Sequence, residues 1–265
     1  MRPAAQRVHN VKADIGARTD LGRVRENNED SFRVDQDLSL FVLSDGMGGV
    51  QHGEVASSIA VESVAEYCRD ARNDSAITTF AQPQDHLSKR TNRLVSAVHF
   101  ANAKIYDAAS SSPDRQGMGA TLVGAWIDGM RASIAHVGDS RLYLLRSGSL
   151  RQVTEDHSLV AEQVRQGLMT QMEADHSPLQ NVLTRALGTQ AYVEVEAQEE
   201  TLAPGDVLLL CSDGLTKMVA EKDIVAVLNS PSSAQAAADR LVELANKSGG
   251  YDNTTAIVVR IKSGA

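Results

Sequence analysis

Leu40-Phe41-Val42-Leu43-Ser44-Asp45-Gly46-Met47-Gly48-Gly49 is the stretch from which the fold can best be predicted. Four apolar residues run directly into Ser-Asp-Gly, and an apolar run that ends in glycine-rich sequence is typical of a strand buried on both faces. The pattern recurs at 207–214, where Val-Leu-Leu-Leu-Cys leads into Ser-Asp-Gly. We therefore expect Asp45 and Asp213 to lie at the ends of two core strands.

An aspartate at the end of a buried strand has two interpretations. A buried carboxylate is unfavourable unless something pairs with it. If Asp45 and Asp213 meet at one edge of a sheet, they form a rigid acidic site whose natural partner is a hard cation. The alternative is an ordinary turn, because Asp-Gly is a common pair in tight turns. For either stretch alone, both interpretations remain open.

Composition narrows the classes of protein. The 265 residues are 42% hydrophobic and 23% charged, which is ordinary for a globular protein. A net charge of −8, without a long Lys/Arg cluster, argues against nucleic acid as a partner. Any anionic substrate of so acidic a protein would need a local cation.

The chain has no apolar run of membrane-spanning length and no signal-peptide core, so we expect a cytoplasmic protein without a membrane span. The two cysteines show neither disulfide nor zinc spacing.

Predicted strands come in runs and predicted helices in pairs. The sequence predicts strands at 13–17, 31–34, 38–44, 120–127, 132–137, 142–145, 193–198, 207–211 and 255–261. It predicts helices at 53–68, 94–109, 156–166, 221–229 and 234–246, a short one after Thr170, and a surface loop or insertion at 69–92. This order favours an α+β fold of antiparallel sheets covered by helices. We expect a lead-in at 1–12, one domain at 13–262 and a tail at 263–265.

Further acidic residues lie where predicted strands begin or end. Asp139 lies in a Gly-Asp-Ser turn, which the meander-like pattern predicts to be a hairpin, and Asp252 precedes the last strand. Glu29 and Asp30 precede the first core strand, and in an extended segment Arg25 shares a face with Glu29. Oxygen ligands without Cys or paired His favour Mg²⁺ or Mn²⁺ over zinc. Each aspartate taken singly still fits a turn.

Six motifs in order carry a resemblance to a known family. They are Arg25 through Asp30, Ser-Asp-Gly-Met-Gly-Gly at 44–49, Met-Gly-Ala-Thr at 118–121, Gly-Asp-Ser-Arg at 138–141, Ser-Asp-Gly-Leu at 212–215 and Gly-Gly-Tyr-Asp-Asn at 249–253. Over residues 13–262 the chain resembles the type-2C, metal-dependent Ser/Thr protein phosphatases in their compact bacterial form. The resemblance implies a central antiparallel β-sandwich flanked by helices on both sides.

The resemblance also implies a metal-ligand set. Asp45 would bridge two Mn²⁺ or Mg²⁺ ions, and Asp30 would hold waters on the metals. The Gly46 carbonyl and Glu29 would serve the first ion, and Asp213 and Asp252 the second. Asp139, with Asp213, would match a third-metal position. The resemblance thus implies that Arg25, Asp45 and Asp213 are the catalytic residues.

The implied reaction is hydrolysis of phosphoserine and phosphothreonine by direct attack of a metal-bridging water. Arg25 would bind the substrate phosphate. Partners would be phosphorylated proteins, targets of a Ser/Thr kinase, and the kinase itself, with the phosphatase a monomer acting in signal transduction. Two alternatives remain: a metal-dependent hydrolase of small phosphoesters, which pocket depth would distinguish, and a catalytically silent regulatory relative, against which the complete set of carboxylates argues.

One departure from the family pattern, two histidines and one variable segment bear on the mechanism. Met47 stands where many eukaryotic members of the family have a histidine that is the favoured general acid, and methionine cannot donate a proton. His52 and His157 lie near motifs, and we interpret both as supporting or structural residues. Residues 157–190 correspond to the family's variable flap beside the active site, and we expect substrate choice to depend on this flap.

Overall fold

Two antiparallel β-sheets form the centre of the computed structural model, which describes residues 12–73 and 77–263. The first sheet contains, in spatial order, β1 (Ala13–Asp20), β11 (Thr254–Ile261), β10 (Val207–Cys211), β7 (Arg141–Arg146) and β8 (Ser149–Gln152). The second contains β2 (Asp30–Asp35), β3 (Leu40–Met47), β5 (Leu122–Asp128), β6 (Arg131–Val137) and β9 (Glu196–Thr201), with β4 (Gly119–Ala120) paired to β3.

Helices cover the outer faces of both sheets. Against the second sheet pack α1 (Gly49–Asn73) and α2 (Lys89–Ser110), and against the first pack α6 (Glu221–Asn229) and α7 (Ala234–Lys247). Among the described residues there are also a 3₁₀ helix at Pro113–Arg115 and three short α-helices, α3 (Leu159–Arg165) and α4 (Gln171–Asp175) in the flap and α5 (Asp213–Thr216) after β10. The predicted α+β class and the helix-flanked antiparallel sandwich are confirmed.

The two core strands are buried on both faces, as their unbroken apolar sequences predict. Along β3, Phe41 and Leu43 pack between the sheets, whereas Leu40 and Val42 pack against α1 and α2. All five residues of β10 are buried. Burying apolar area stabilises a fold by about 25 cal/mol per Å², so the two buried strands contribute strongly to the stability of the sandwich. Their ends provide a rigid edge on which polar side chains can be held.

Several predicted boundaries were wrong. Residues 69–92 are not a continuous loop, because α1 continues to Asn73 and α2 begins at Lys89. Ser88 caps α2 by accepting a hydrogen bond from Thr91 N–H, and the polar first turn concealed the helical period. The strand predicted at 193–198 is displaced, since pairing with β6 begins only at Glu196. Strand β8 and helix α5 were not predicted.

The hairpin expected at 138–140 is also wrong, and the reason matters for the site. Gly138-Asp139-Ser140 joins β6 of the second sheet to β7 of the first, so it crosses between sheets instead of connecting paired strands. The true hairpins nearby join β5 to β6 and β7 to β8. Asp139 therefore lies at an edge where the two sheets meet.

Two predictions, for the two ends of the chain, fall mostly beyond the described residues. The expected lead-in at 1–12 lies outside them except for Lys12, and the tail at 263–265 except for Ser263. Within the described part of the chain, no helix combines the length and apolar character needed to cross a bilayer.

Candidate metal centre

The carboxylates predicted from the two sheets meet at one edge of the sandwich. Asp30 lies directly opposite Asp45 in the β2–β3 pair. Its Oδ2 accepts hydrogen bonds across to the other sheet, from Ser212 Oγ at 2.8 Å and Thr255 Oγ1 at 2.6 Å. Asp213 follows Ser212 immediately. The ends of β3 and β10 are thus joined through one buried carboxylate.

The charges of the clustered aspartates act on one another. Burial raises the pKa of Asp45 well above its usual range, and Asp30, Asp213, Asp139 and Asp252 raise it further. Burial likewise raises the pKa of Asp30 to about 7, against the opposing effect of its hydrogen bonds. It raises the pKa of Asp139 to about 7, with Asp213 adding to the shift. The structure therefore brings together five aspartates that sequence reasoning proposed separately.

Two oxygens of this cluster indicate a cation-binding site. Asp30 Oδ1 and Asp213 Oδ1 are buried and accept no hydrogen bond from any described residue. Buried polar atoms normally have partners, and closely spaced carboxylates repel. A divalent cation would satisfy both, and carboxylate oxygens are the donors that Mg²⁺ and Mn²⁺ prefer. The residues present thus fit a metal centre.

Close backbone packing places Glu29 and Gly46 in the same cluster. Gly46 N–H donates to the Glu29 carbonyl at 3.0 Å. A Cβ on Gly46 would lie 2.0 Å from the carbonyl oxygen of Gly53, and one on Gly53 would lie 2.6 Å from the carboxyl carbon of Glu29. Burial raises the pKa of Glu29, and the Arg25 charge opposes this. Only glycine at these two positions lets α1 approach the end of β3 closely enough to hold Glu29 there.

Asn253 fastens the loop that carries Arg25 and Glu29. Its Oδ1 accepts from Glu29 N–H at 2.8 Å, and its Nδ2 donates to the carbonyls of Leu21 and Asn27 at 2.9 and 3.0 Å. Asp252-Asn253 is recognisable in the sequence as part of a motif, but the contacts that Asn253 makes with this loop were not predicted. Nothing in local sequence indicates it, because the partners lie more than 220 residues away.

Arg25 stands at the rim of the cluster. Its Nη2 donates to Asp252 Oδ2 at 2.8 Å, and half of its side chain is exposed. This bond, with the nearby charges of Glu29 and Asp45, raises the pKa of Arg25. A guanidinium that is permanently charged, partly solvent-facing and adjacent to buried carboxylates can receive an anion that the cluster alone would repel.

Lys217 is a residue of the site that the sequence analysis missed. Its Nζ contacts Asp213 Oδ2 and also donates to Asn181 Oδ1 of the flap at 2.6 Å. The sequence could have indicated this contact, because Lys217 follows Asp213 by four residues at the start of a helix, and that spacing allows an ion pair. Lys217 thus connects the flap with a predicted metal ligand.

The chain matches known proteins over nearly its whole length. Residues 22–255 match the model of the family described as protein phosphatase 2C. A serine/threonine phosphatase of Listeria welshimeri is 40% identical over 245 residues, which cover 91% of this chain and 93% of the relative.

Solved structures agree with the sequence matches. The Mycobacterium tuberculosis serine/threonine phosphatase PstP is 36% identical and superposes with a TM-score of 0.83, over 95% of this chain and 99% of that one. The PstP catalytic domain in complex with two manganese ions is 36% identical with a TM-score of 0.81, over 95% and 99% of the two chains. That relative binds its ions on the fold described above.

Proposed function

This chain belongs to the protein phosphatase 2C family, and on that basis we propose that its clustered carboxylates hold the ions of a metal-dependent serine/threonine protein phosphatase. The enzyme class follows from the family match and from the named phosphatases that the chain resembles. The assignment of individual residues is our proposal. The observation that carries it is the buried cluster of carboxylates drawn from both sheets, with unpartnered oxygens on Asp30 and Asp213.

Each residue of the cluster has a proposed role. Asp45 lies at the centre and would bridge two Mn²⁺ or Mg²⁺ ions, with Asp30 supporting it from the neighbouring strand. Glu29 and the Gly46 carbonyl would help to hold one ion, and Asp213 and Asp252 would help to hold the other. Asp139 would help Asp213 to hold a third ion. Bound together, two such ions lower the pKa of a shared water and stabilise charge on the attacking and leaving oxygens.

The chain's own groups bind the substrate and constrain the mechanism. Arg25 would receive the phosphate at the rim, supplying the local cation that an acidic protein needs. Neither cysteine is a candidate nucleophile, because burial raises the pKa of Cys211 to about 12 and raises that of Cys68 as well. The mechanism we propose is hydrolysis by direct attack on phosphorus, without a phosphoenzyme, and the unreactive state of both cysteines is consistent with it.

An open rim favours a phosphorylated protein over a small phosphoester. Half of the Arg25 side chain and about a third of that of Asp252, 32%, are exposed, so a phosphorylated side chain on a protein surface can reach them. We propose phosphoserine and phosphothreonine proteins as substrates, among them targets of a Ser/Thr kinase and the kinase itself. A monomeric enzyme acting in cytoplasmic signal transduction is the corresponding biological proposal.

A parallel assay tests this function and separates the alternatives. Turnover of a phosphothreonine peptide and of p-nitrophenyl phosphate is measured with EDTA, Mg²⁺ and Mn²⁺. We expect activity on the peptide with either metal and none with EDTA. Turnover confined to p-nitrophenyl phosphate would support a small-phosphoester hydrolase, and metal binding without turnover of either substrate would support a silent relative.

Arg25→Ala is expected to raise KM for the phosphopeptide about tenfold or more while kcat changes less. A guanidinium that grips phosphate does so in both the ground state and the transition state, which is uniform binding. Steady-state kinetics at saturating Mn²⁺ provide the measurement. Arg25→Lys is the control, because it keeps the charge and loses the planar fork, and its KM should lie between the other two. A hundredfold fall in kcat with KM unchanged would make Arg25 a transition-state residue.

A further inference from the structure

Two buried histidines lie next to the metal centre without belonging to it. His136 on β6 and His157 before α3 stack with ring centroids 4.7 Å apart and an angle of 21° between the rings. Glu196 at the start of β9 faces both, with Oε1 3.1 Å from His157 Nε2 and Oε2 3.8 Å from His136 Nε2. Two imidazoles and a carboxylate at these distances resemble a transition-metal site.

The hydrogen bonds of the two rings argue against a metal here. Gly138 N–H donates to His157 Nδ1 at 3.1 Å, so the ring proton must be on Nε2, which lies 3.1 Å from Glu196 Oε1 and 3.3 Å from Arg185 Nη1. His136 Nε2 lies 2.7 Å from the Glu155 carbonyl and must also carry a proton. Neither nitrogen facing Glu196 then has a lone pair for a metal. Arg185 Nη1, 3.0 Å from Glu196 Oε1, already supplies the cation.

His157 instead holds Gly138, the residue before Asp139, through the peptide groups on both sides of its Cα. Its backbone N–H donates to the Gly138 carbonyl at 3.0 Å, and its Nδ1 accepts from Gly138 N–H at 3.1 Å. The opposite side of Gly138 is also closed, because a Cβ there would lie 2.7 Å from Thr121 Cβ, and its φ of +100° requires glycine. Gly138 is thus held on two sides, which constrains the direction in which the Asp139 side chain leaves the backbone.

The same histidine is fastened to both ends of the flap. The His157 carbonyl accepts from Thr184 N–H at 2.8 Å, and Leu159 N–H donates to the Val182 carbonyl at 2.8 Å. Arg185, next along the chain, pairs with Glu196, which His157 Nε2 contacts. Burial, with the neighbouring His136, lowers the pKa of His157 to about 4, so the ring stays neutral and Nδ1 remains an acceptor at ordinary pH.

We propose that His157 is a positioning residue for the phosphatase reaction: through Gly138 it holds Asp139 in place, and it couples that placement to the base of the flap. The inference rests on the proposed function, because it concerns how Asp139 is presented to the metal centre. It assigns to His157 a role that depends on the Nδ1 atom and not on general packing. A displacement of about 1 Å in such a group can reduce turnover about a hundredfold.

Two substitutions separate the two nitrogens of His157. His157→Asn places Oδ1 near the position of Nδ1, so it keeps an acceptor for Gly138 N–H and loses the contact with Glu196. His157→Gln extends an amide toward Glu196 and leaves Gly138 N–H without its partner. At saturating Mn²⁺, His157→Gln should lower kcat on a phosphothreonine peptide by about 10- to 100-fold with KM within twofold. His157→Asn should recover most of that loss.

A double-mutant cycle and a metal titration test the route through Asp139. In an Asp139→Ala background, His157→Gln should cause no further loss, because residues acting through one group are not additive. By calorimetric titration of the metal-free protein, any Mn²⁺ binding step that Asp139→Ala weakens should weaken in His157→Gln also, and not in His157→Asn. His136→Gln is the matched control: it keeps a donor for Glu155, does not touch Gly138 and should leave kcat near wild type.

Specific results would overturn the proposal. Equal losses in His157→Gln and His157→Asn, or a full additional loss in the Asp139→Ala background, would reduce His157 to a packing residue. If His157→Gln does not fold, His157→Leu removes both ring bonds at similar volume and replaces it in the cycle. Wild-type protein without Mn²⁺-dependent turnover would refute the proposed function itself, which is a different outcome from any failure of the His157 variants.

Discussion

Asp213→Asn is expected to reduce metal-dependent hydrolysis to less than about a thousandth of wild type while the protein stays folded. Asp213 is the proposed ligand shared by two metal positions, and one of its oxygens is buried without a partner among the described residues. When residues act together in catalysis, removing one of them can abolish nearly all of their joint contribution to the rate. Turnover of a phosphothreonine peptide at saturating Mn²⁺ is the first measurement.

The second measurement is thermal unfolding of the metal-free protein. Asp213 repels the buried carboxyls of Asp30, Asp45 and Asp139, whose pKa values it raises. Removing its charge should therefore leave the melting temperature unchanged or higher. The amide still offers an oxygen to Lys217, which limits the loss of that contact.

Asp206→Asn is the matched control for Asp213→Asn. Asp206 is equally an aspartate beside a core strand, but it binds Arg146 at 2.6 and 2.9 Å, away from the cluster. Its substitution should lower the melting temperature and leave turnover intact. A large fall in the melting temperature of metal-free Asp213→Asn would contradict the interpretation of Asp213 as a metal ligand in a self-repelling cluster.

Asp139→Ala is expected to reduce turnover of a phosphothreonine peptide by about 10²–10⁴-fold, the usual range for general acid catalysis. Met47 cannot donate a proton, so the leaving alkoxide depends on another source, which Asp139 would help to hold in place with a third ion. For p-nitrophenyl phosphate, whose leaving group needs little protonation, the loss should be smaller. The ratio of wild-type to mutant kcat on each substrate is the measurement.

An ordinary turn residue would behave differently, and Asp128 provides the comparison. Asp128 ends β5 at the true hairpin to β6 and pairs with Arg90 at 2.8 Å on the surface, so Asp128→Ala should lower the free energy of unfolding by about 0.5–1 kcal/mol and leave turnover alone. Equal losses on both substrates in Asp139→Ala would exclude its part in proton delivery. No loss on either would make Asp139 a turn residue like Asp128.

The core of the fold and the members of the cluster were predictable because local sequence encodes both. Apolar runs before Asp45 and Asp213 determine buried strands whatever surrounds them, and both strands were confirmed. What could not be predicted depends on pairing between distant segments. The crossing at Asp139 looks like a hairpin in sequence, since turn signals do not record which sheet each flanking strand joins. The three contacts of Asn253 are equally invisible, because they join the two ends of the chain.

The cluster draws on segments near residues 29, 45, 139, 213 and 252, and its ends meet only when both sheets are in place. We therefore expect the ions to bind after the two sheets have formed, because their proposed ligands become neighbours only then. Bound there, the ions would oppose opening of the finished sandwich. Interactions absent from the folding transition state slow unfolding and leave refolding nearly unchanged. In stopped-flow experiments, Mn²⁺ should therefore slow unfolding and leave the refolding rate nearly unchanged.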